Sequence, residues 1–227
     1  MKSAATQPVT LTVGNDLRVS ALLERPANAR ALFVMGPGAG AGMRHAFLSD
    51  VSAALATRGI ASLRYQFPYM ERDSRRPDSP AICHATVRAA SAWAGESEPT
   101  LQLIAGGKSF GGRMTSQAQA LDPLAGVRGL AFLGFPLHPP KKPSLTRAEH
   151  LSKIHIPMLF VQGTRDVLAE TELMRHAVEG LGDRARIRWM EGADHAFHVP
   201  ARSGKSDADV LGEIADALEA WVESVIR

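Results

Sequence analysis

Short apolar runs alternate with segments of helical spacing along most of the chain. Residues 9–13 and 19–24 read as two opening strands joined by the turn residues Gly14, Asn15 and Asp16. Val9, Leu11 and Val13 carry the period of two that a half-buried strand requires. Ala31 to Met35 is a continuous apolar strand that runs into a glycine-rich turn. Residues 46–58 repeat apolar side chains at three and four spacings, a helical face closed by Gly59 at the C-cap position. A strand over 60–65, a proline-containing loop and a helix over 81–94 follow. The spacing then predicts strand 101–106, helix 110–121, strand 128–134 and a proline-rich loop from 136 to about 145. Strand 157–162, helix 169–181, strand 186–190 and a terminal amphipathic helix over 206–226 complete the pattern.

The middle strands are apolar throughout, and the helices between them are long enough for crossovers. That combination predicts an α/β fold, a mostly parallel eight-stranded sheet covered by helices on both faces. The 227 residues suit one domain spanning 1–227. The loop after residue 135 is too short to hold a folded cap, with room for one helical turn near 147–151.

Composition narrows the function classes. Hydrophobic residues make up 45% and charged residues 22%, an ordinary globular balance. No apolar run approaches the 18 or so residues of a membrane span, so no membrane partner is expected. The N-terminus lacks the apolar block of a secretory signal, and Cys83 is the only cysteine. Both fit a reducing, cytoplasmic location. The net charge of +3 is spread along the chain, with small groupings at Arg72, Arg75, Arg76 and at Arg184, Arg186, Arg188. With only 6% aromatics and no concentrated basic patch, nucleic acid is not an expected partner.

The candidate chemistry begins at Gly107-Lys108-Ser109-Phe110-Gly111, between an apolar strand and a helical pattern. Strand, sharp turn and helix are the setting of a G-x-S-x-G nucleophile elbow. A serine there projects above the sheet edge, and glycines two residues to either side avoid collisions. The serine would otherwise read as a helix N-cap. A phosphate-binding loop would need glycine where Gln102 stands. A serine hydroxyl needs a base, and the base needs a group that orients it. Asp166 follows strand 157–162, at the edge where open α/β sheets bind ligands, and reads as that acid. After the last strand, His195 and His198 compete for the base. His195 follows the tight Gly192-Ala193-Asp194 turn and is the better placed, whereas His198 reads as a loop histidine and Asp194 as a turn residue.

An oxyanion hole needs backbone N–H groups, expected from Phe110 and from Ala39 in the turn over 36–42. That turn also meets a relaxed dinucleotide fingerprint, but the next strand ends near Arg64 with no acidic residue for a ribose. Phe67 and Tyr69 follow a strand at the same edge and are expected, with His138, to line the substrate pocket.

With these residues placed, the chain resembles the small lidless α/β-hydrolases of the dienelactone-hydrolase-like group. More narrowly, it resembles the branch sharing its domain with a subunit of the non-specific-lethal chromatin complex. The resemblance spans nearly the whole chain and rests on GPGAGAGMRHAF at 36–47, LRYQFPYME at 63–71, GGKSFGGRM at 106–114, GFPLHPPKKP at 134–143, VQGTRD at 161–166 and GADHAF at 192–197. It implies a Ser109–Asp166–His195 triad and hydrolysis of a small-molecule ester substrate without metal or cofactor. Two departures stand out. Dienelactone hydrolases use cysteine where this chain has Ser109, and many relatives carry histidine where this chain has Pro37.

Overall fold

A computed structural model describes residues 5–74 and 76–226. Arg75, named above, lies outside them. The strands are β1 (Thr6–Val13), β2 (Leu17–Glu24), β3 (Ala31–Gly36), β4 (Ile60–Tyr65), β5 (Gln102–Lys108), β6 (Val127–Leu133), β7 (Met158–Gly163) and β8 (Ala185–Met190). The helices are α1 (Ala46–Ala56), α2 (Pro68–Glu71), α3 (Pro80–Ser97), α4 (Phe110–Leu121), α5 (Thr171–Glu179) and α6 (Asp207–Ile226). Short 3₁₀ segments occupy Glu149–Lys153, Gly182–Arg184 and Ala201–Ser203. The fold is the expected α/β arrangement, and no separate cap is present among the described residues.

The eight strands form one sheet in the order β1-β2-β4-β3-β5-β6-β7-β8. β1 and β2 pair antiparallel, β2 pairs antiparallel with β4, and every other pairing is parallel. The all-apolar strands are the ones buried on both faces: every residue of β3, β4 and β7 is inaccessible. β1 lies at the edge, and only its alternating Leu11 and Val13 are buried. One core lies under α3, α4 and α5 and contains Leu32, Leu63, Leu103, Phe132 and Phe160. The other lies under α1 and α6, where Phe33, Ile104, Leu133 and Val161 meet Val51, Leu55, Ile214 and Trp221. Glu24 and Arg64 form a buried pair at 3.5 Å, to which Ser52 of α1 donates at 2.8 Å on the Glu24 side. Charge is tolerable there because the carboxylate faces the guanidinium, which also donates to Ser49 Oγ at 2.5 Å.

The chain leaves β3 toward β4 on one side and returns to β5 on the other. This reversal is a topological switch point, and ligands of open α/β sheets sit in the crevice it opens at the carboxyl ends of the strands. The turns that follow β3 and β5 carry the candidate oxyanion donors and Ser109.

Several boundaries differ from the sequence expectation. The segment after Tyr65 is not all loop, because Pro68 occupies the first turn of α2, where a missing N–H costs nothing. α3 runs three residues beyond the expected end at 94. β5 continues to Lys108 through Gly106 and Gly107, which pair with β6 and β3 instead of forming the turn. The turn after residue 146 is a 3₁₀ segment two residues later than expected.

Candidate active site

Ser109 stands between β5 and α4 with φ 48° and ψ −111°, a strained conformation for a residue with a side chain. Its N–H donates to the Leu133 carbonyl at 3.1 Å, which ties the turn to β6. The flanking glycines are a steric necessity. A Cβ on Gly107 would stand 2.2 Å from the Gly36 carbonyl oxygen, and a Cβ on Gly111 would stand 2.2 Å from the same backbone. Both glycines therefore press on the last residue of β3. The nucleophile turn and the glycine-rich turn are thus held against each other.

Three side chains from three loops meet above this edge. The Ser109 hydroxyl donates to His195 Nε2 at 2.9 Å, and His195 Nδ1–H donates to Asp166 Oδ2 at 2.7 Å. Asp166 is 3% exposed, so its remaining lone pairs must be satisfied by protein. Oδ1 accepts from the Leu168 N–H at 2.8 Å, and Oδ2 also accepts from Gln162 Nε2 at 2.6 Å. The bond to Leu168 is an Asx-turn. One carboxylate oxygen thus shapes its own loop, while the other faces the histidine.

The loop carrying His195 is fastened to the loop carrying Asp166. The Arg165 N–H donates to the Ala193 carbonyl at 2.9 Å, and the Gly192 N–H donates to Thr164 Oγ1 at 2.8 Å. Asp194 is a turn residue, accepting from the Ala196 and His198 N–H groups at 2.8 and 3.0 Å. His198 lies away from Ser109 and pairs with Asp207 at 2.8 Å on the surface. That carboxylate holds the His198 imidazole above its ordinary range.

Phe110 opens α4, where helical geometry leaves its N–H without an intrahelical acceptor. Ala39 lies in the turn after β3. Neither N–H is taken by a protein acceptor among the described residues. Pro37 does not leave this turn unsupported. Tyr69 Oη accepts from the Gly40 N–H at 3.1 Å, and the Ala41 N–H donates to the Gly38 carbonyl at 3.1 Å. The tyrosine supplies a fixed contact to a turn that lacks histidine at position 37.

Ser109 and His195 open onto a cavity of about 260 Å³ whose walls include Ala39, Ala41, Phe47 and Leu48. Phe67, Tyr69 and His138, expected as pocket walls, do not line it. Phe67 stacks on Tyr69 at 6.2 Å and meets Phe110 edge-on at 5.4 Å, and both Phe67 and Tyr69 are fully buried. Their contribution is to back the two turns from within the core. His138 is also fully buried, with its ring nitrogens 2.8 Å from the Pro139 carbonyl and 2.5 Å from Glu170. The expectation failed because residues that leave a strand at the ligand edge can turn inward, as these three do.

Two site residues escaped the sequence reading. Gln162 is fully buried, with Oε1 accepting from the Phe135 N–H at 2.9 Å and Nε2 holding Asp166. A lone amide in the apolar strand Met-Leu-Phe-Val-Gln-Gly was the available signal, because a buried polar group must have a partner. Phe47 was read only as a helix-face residue, yet it stacks on Phe197 at 5.4 Å and walls the cavity. Among the described residues, no three His, Cys, Asp or Glu side chains converge in a metal-holding cluster. No helix among them is long and apolar enough to cross a membrane.

Solved structures share this architecture over nearly full length. A dienelactone hydrolase from Anabaena variabilis superposes with a TM-score of 0.80 at 19% identity, covering 100% of each chain. A lidless α/β serine hydrolase from Xanthomonas campestris gives 0.74 at 18% identity, covering 97% of each. Est1E from Butyrivibrio proteoclasticus, solved with ferulic acid bound, gives 0.74 at 14% identity, covering 96% of this chain and 99% of its own. At these identities the likeness is one of fold. The family model described as alpha/beta hydrolase domain matches residues 29–223, and the chain belongs to that family.

Proposed function

We propose that this protein is a serine hydrolase that cleaves small carboxylic esters, or related thioesters and lactones, through a Ser109–His195–Asp166 triad and an acyl-enzyme. The observation that carries this reading is the unbroken chain of contacts from Ser109 Oγ to His195 Nε2 at 2.9 Å and from His195 Nδ1 to Asp166 at 2.7 Å. In this orientation His195 Nε2 accepts the hydroxyl proton as Ser109 Oγ attacks the substrate carbonyl carbon. The carbonyl oxygen gains the negative charge, and the N–H groups of Phe110 and Ala39 stabilise it. The imidazolium then gives its proton to the leaving alkoxide as the acyl–oxygen bond breaks. Water repeats the sequence and releases the acid.

The cavity supports a small acyl group. Pockets for drug-sized ligands occupy roughly 300–1,000 Å³, and this one holds about 260 Å³ behind mostly apolar walls. No cap covers it among the described residues, so the leaving group faces solvent. The substrate is recognised with no metal or cofactor in the proposed steps. The narrower placement, beside the chromatin-complex subunit, rests on the same sequence segments and brings no partner with it. The single, buried Cys83 fits the proposed cytoplasmic location.

A series of p-nitrophenyl esters from acetate to decanoate tests the reading. The expected result is a burst of p-nitrophenol on acetate and a kcat/KM that is highest for short chains and falls along the series. Hydrolysis by the folded protein no faster than buffer on every ester would overturn it.

A further inference from the structure

Lys108, the residue before the nucleophile, has no role in the steps above, yet its surroundings are built around it. Its Nζ donates to the main-chain carbonyl of His195 at 2.6 Å. It also lies 5.3 Å from the centroid of the Phe197 ring and 6.0 Å from that of Phe47. Those two rings stack with an interplanar angle of 6°. Phe197 accepts a φ of 67°, unusual for an aromatic residue, to stand there. Gly134 yields space on another side, since a Cβ at that position would stand 2.9 Å from Nζ. Among the described residues Lys108 enters no ion pair. A part-buried ammonium with one carbonyl and two aromatic faces is an expensive arrangement for packing alone.

We propose that Lys108 is a positioning residue, an ammonium clamp that fixes the main chain of the base-bearing loop relative to the nucleophile turn. The two ends of the clamp explain its value. Lys108 is covalently next to Ser109, and its Nζ holds the carbonyl of His195. The separation of nucleophile and base is thereby fixed by a link that does not depend on the Ser109–His195 hydrogen bond, which must break and re-form in each turnover. Reacting groups misplaced by about an ångström lose about a hundredfold in rate. The Phe47 and Phe197 rings hold the ammonium at the loop, where Lys108 stands half-buried at the wall of the same cavity as Ser109 and His195.

The charge makes the clamp sensitive to alkali. Burial pulls the Lys108 ammonium down to about 8, against the opposing effect of the Asp166 and Asp194 carboxylates. Among the described residues these two aspartates, His195 and, across the same cavity, His45 are the titratable groups placed around it. As pH rises through that value the ammonium loses its proton. The cation–π attraction then disappears, and the bond to the His195 carbonyl is no longer charge-assisted.

The inference rests on the proposed triad, and its test separates the two. Hydrolysis of p-nitrophenyl acetate is followed against pH for the wild type, Lys108→Met and Lys108→Arg, each checked for folding by circular dichroism. The wild type is expected to lose kcat as pH rises through about 8. Lys108→Met is expected to lose about tenfold or more in kcat with KM changed less than about twofold. Lys108→Arg is expected to recover most of kcat and to keep it to higher pH than the wild type, because a guanidinium stays charged. A side chain that only fills space would leave the alkaline limb of the arginine variant where it was. An active wild type whose kcat and alkaline limb are unchanged in Lys108→Met overturns the clamp and leaves the triad standing, as do methionine and arginine variants impaired alike. An inactive wild type overturns the triad and the clamp together. If Lys108→Met does not fold, the alkaline limb of Lys108→Arg decides by itself.

Discussion

Ser109→Ala is expected to lower kcat on a short p-nitrophenyl ester by about a millionfold, with the fold unchanged. The magnitude follows from the geometry. Only Ser109 Oγ stands within hydrogen-bonding reach of His195 Nε2 among the described residues, so no second nucleophile inherits the base. A comparable pair, Ser116 Oγ and His150 Nε2 at 2.7 Å, joins α4 to the 3₁₀ segment Glu149–Lys153. There burial and the Arg113 cation hold the imidazole down at about 4, and the Ser116 hydroxyl is donated to the Arg113 carbonyl. It cannot stand in for Ser109. The fold should survive because the deleted oxygen makes no other hydrogen bond among the described residues, and alanine can occupy the strained turn no worse than serine. Steady-state rates, with a thermal melt on the same sample, read both halves of the expectation.

The second large effect is expected at Asp166, because no other carboxylate contacts His195 among the described residues. Asp166→Ala should lower kcat by about ten-thousandfold. Three donors converge on this carboxylate, from His195 Nδ1, Gln162 Nε2 and the Leu168 backbone. Removing it frees the imidazole to rotate or change tautomer, and then Nε2 no longer faces Ser109 as a proton acceptor. It also strands the Gln162 amide and the Leu168 N–H, at a cost of about 1–3 kcal/mol for each buried unsatisfied group. Asp166→Asn is no neutral substitute, because its amide must turn an N–H toward one of the three donors. Single-turnover kinetics separate the loss of chemistry from any loss of binding, and urea unfolding measures the stability cost.

These expectations rest on parts of the molecule that differ in how far they could be read in advance. The order of strands and helices was legible because β3, β4 and β7 are buried on both faces and had to be apolar throughout. The helix from Phe110 to Leu121 was legible at both ends, since the nucleophile turn starts it abruptly. Ser109, Asp166 and His195 could be grouped in advance because each follows a strand that ends at the same edge, and the structure places Ser109 and Asp166 each within 3 Å of His195.

The lining of the cavity was not legible. Side-chain direction after a strand depends on tertiary packing, which turned Phe67, Tyr69 and His138 into the core and left Phe47 and Leu48 at the surface of the cavity. Glycine misled in the other direction. The strand expected to end at Gly106 runs on through Gly107 to Lys108, and the close approach of the Gly36 backbone leaves no room for a Cβ on Gly107. Many relatives carry histidine where this chain has Pro37. The contact that Tyr69 makes to this turn comes from a residue distant in sequence, and so was visible only once the chain was folded.

The claim that Ser109 is the nucleophile is tested most directly by reacting the folded protein with a fluorophosphonate probe and locating the adduct by tandem mass spectrometry. One stoichiometric adduct is expected, on the Ser109 hydroxyl. An adduct on any other residue, or an unlabelled but fully folded protein, would contradict it.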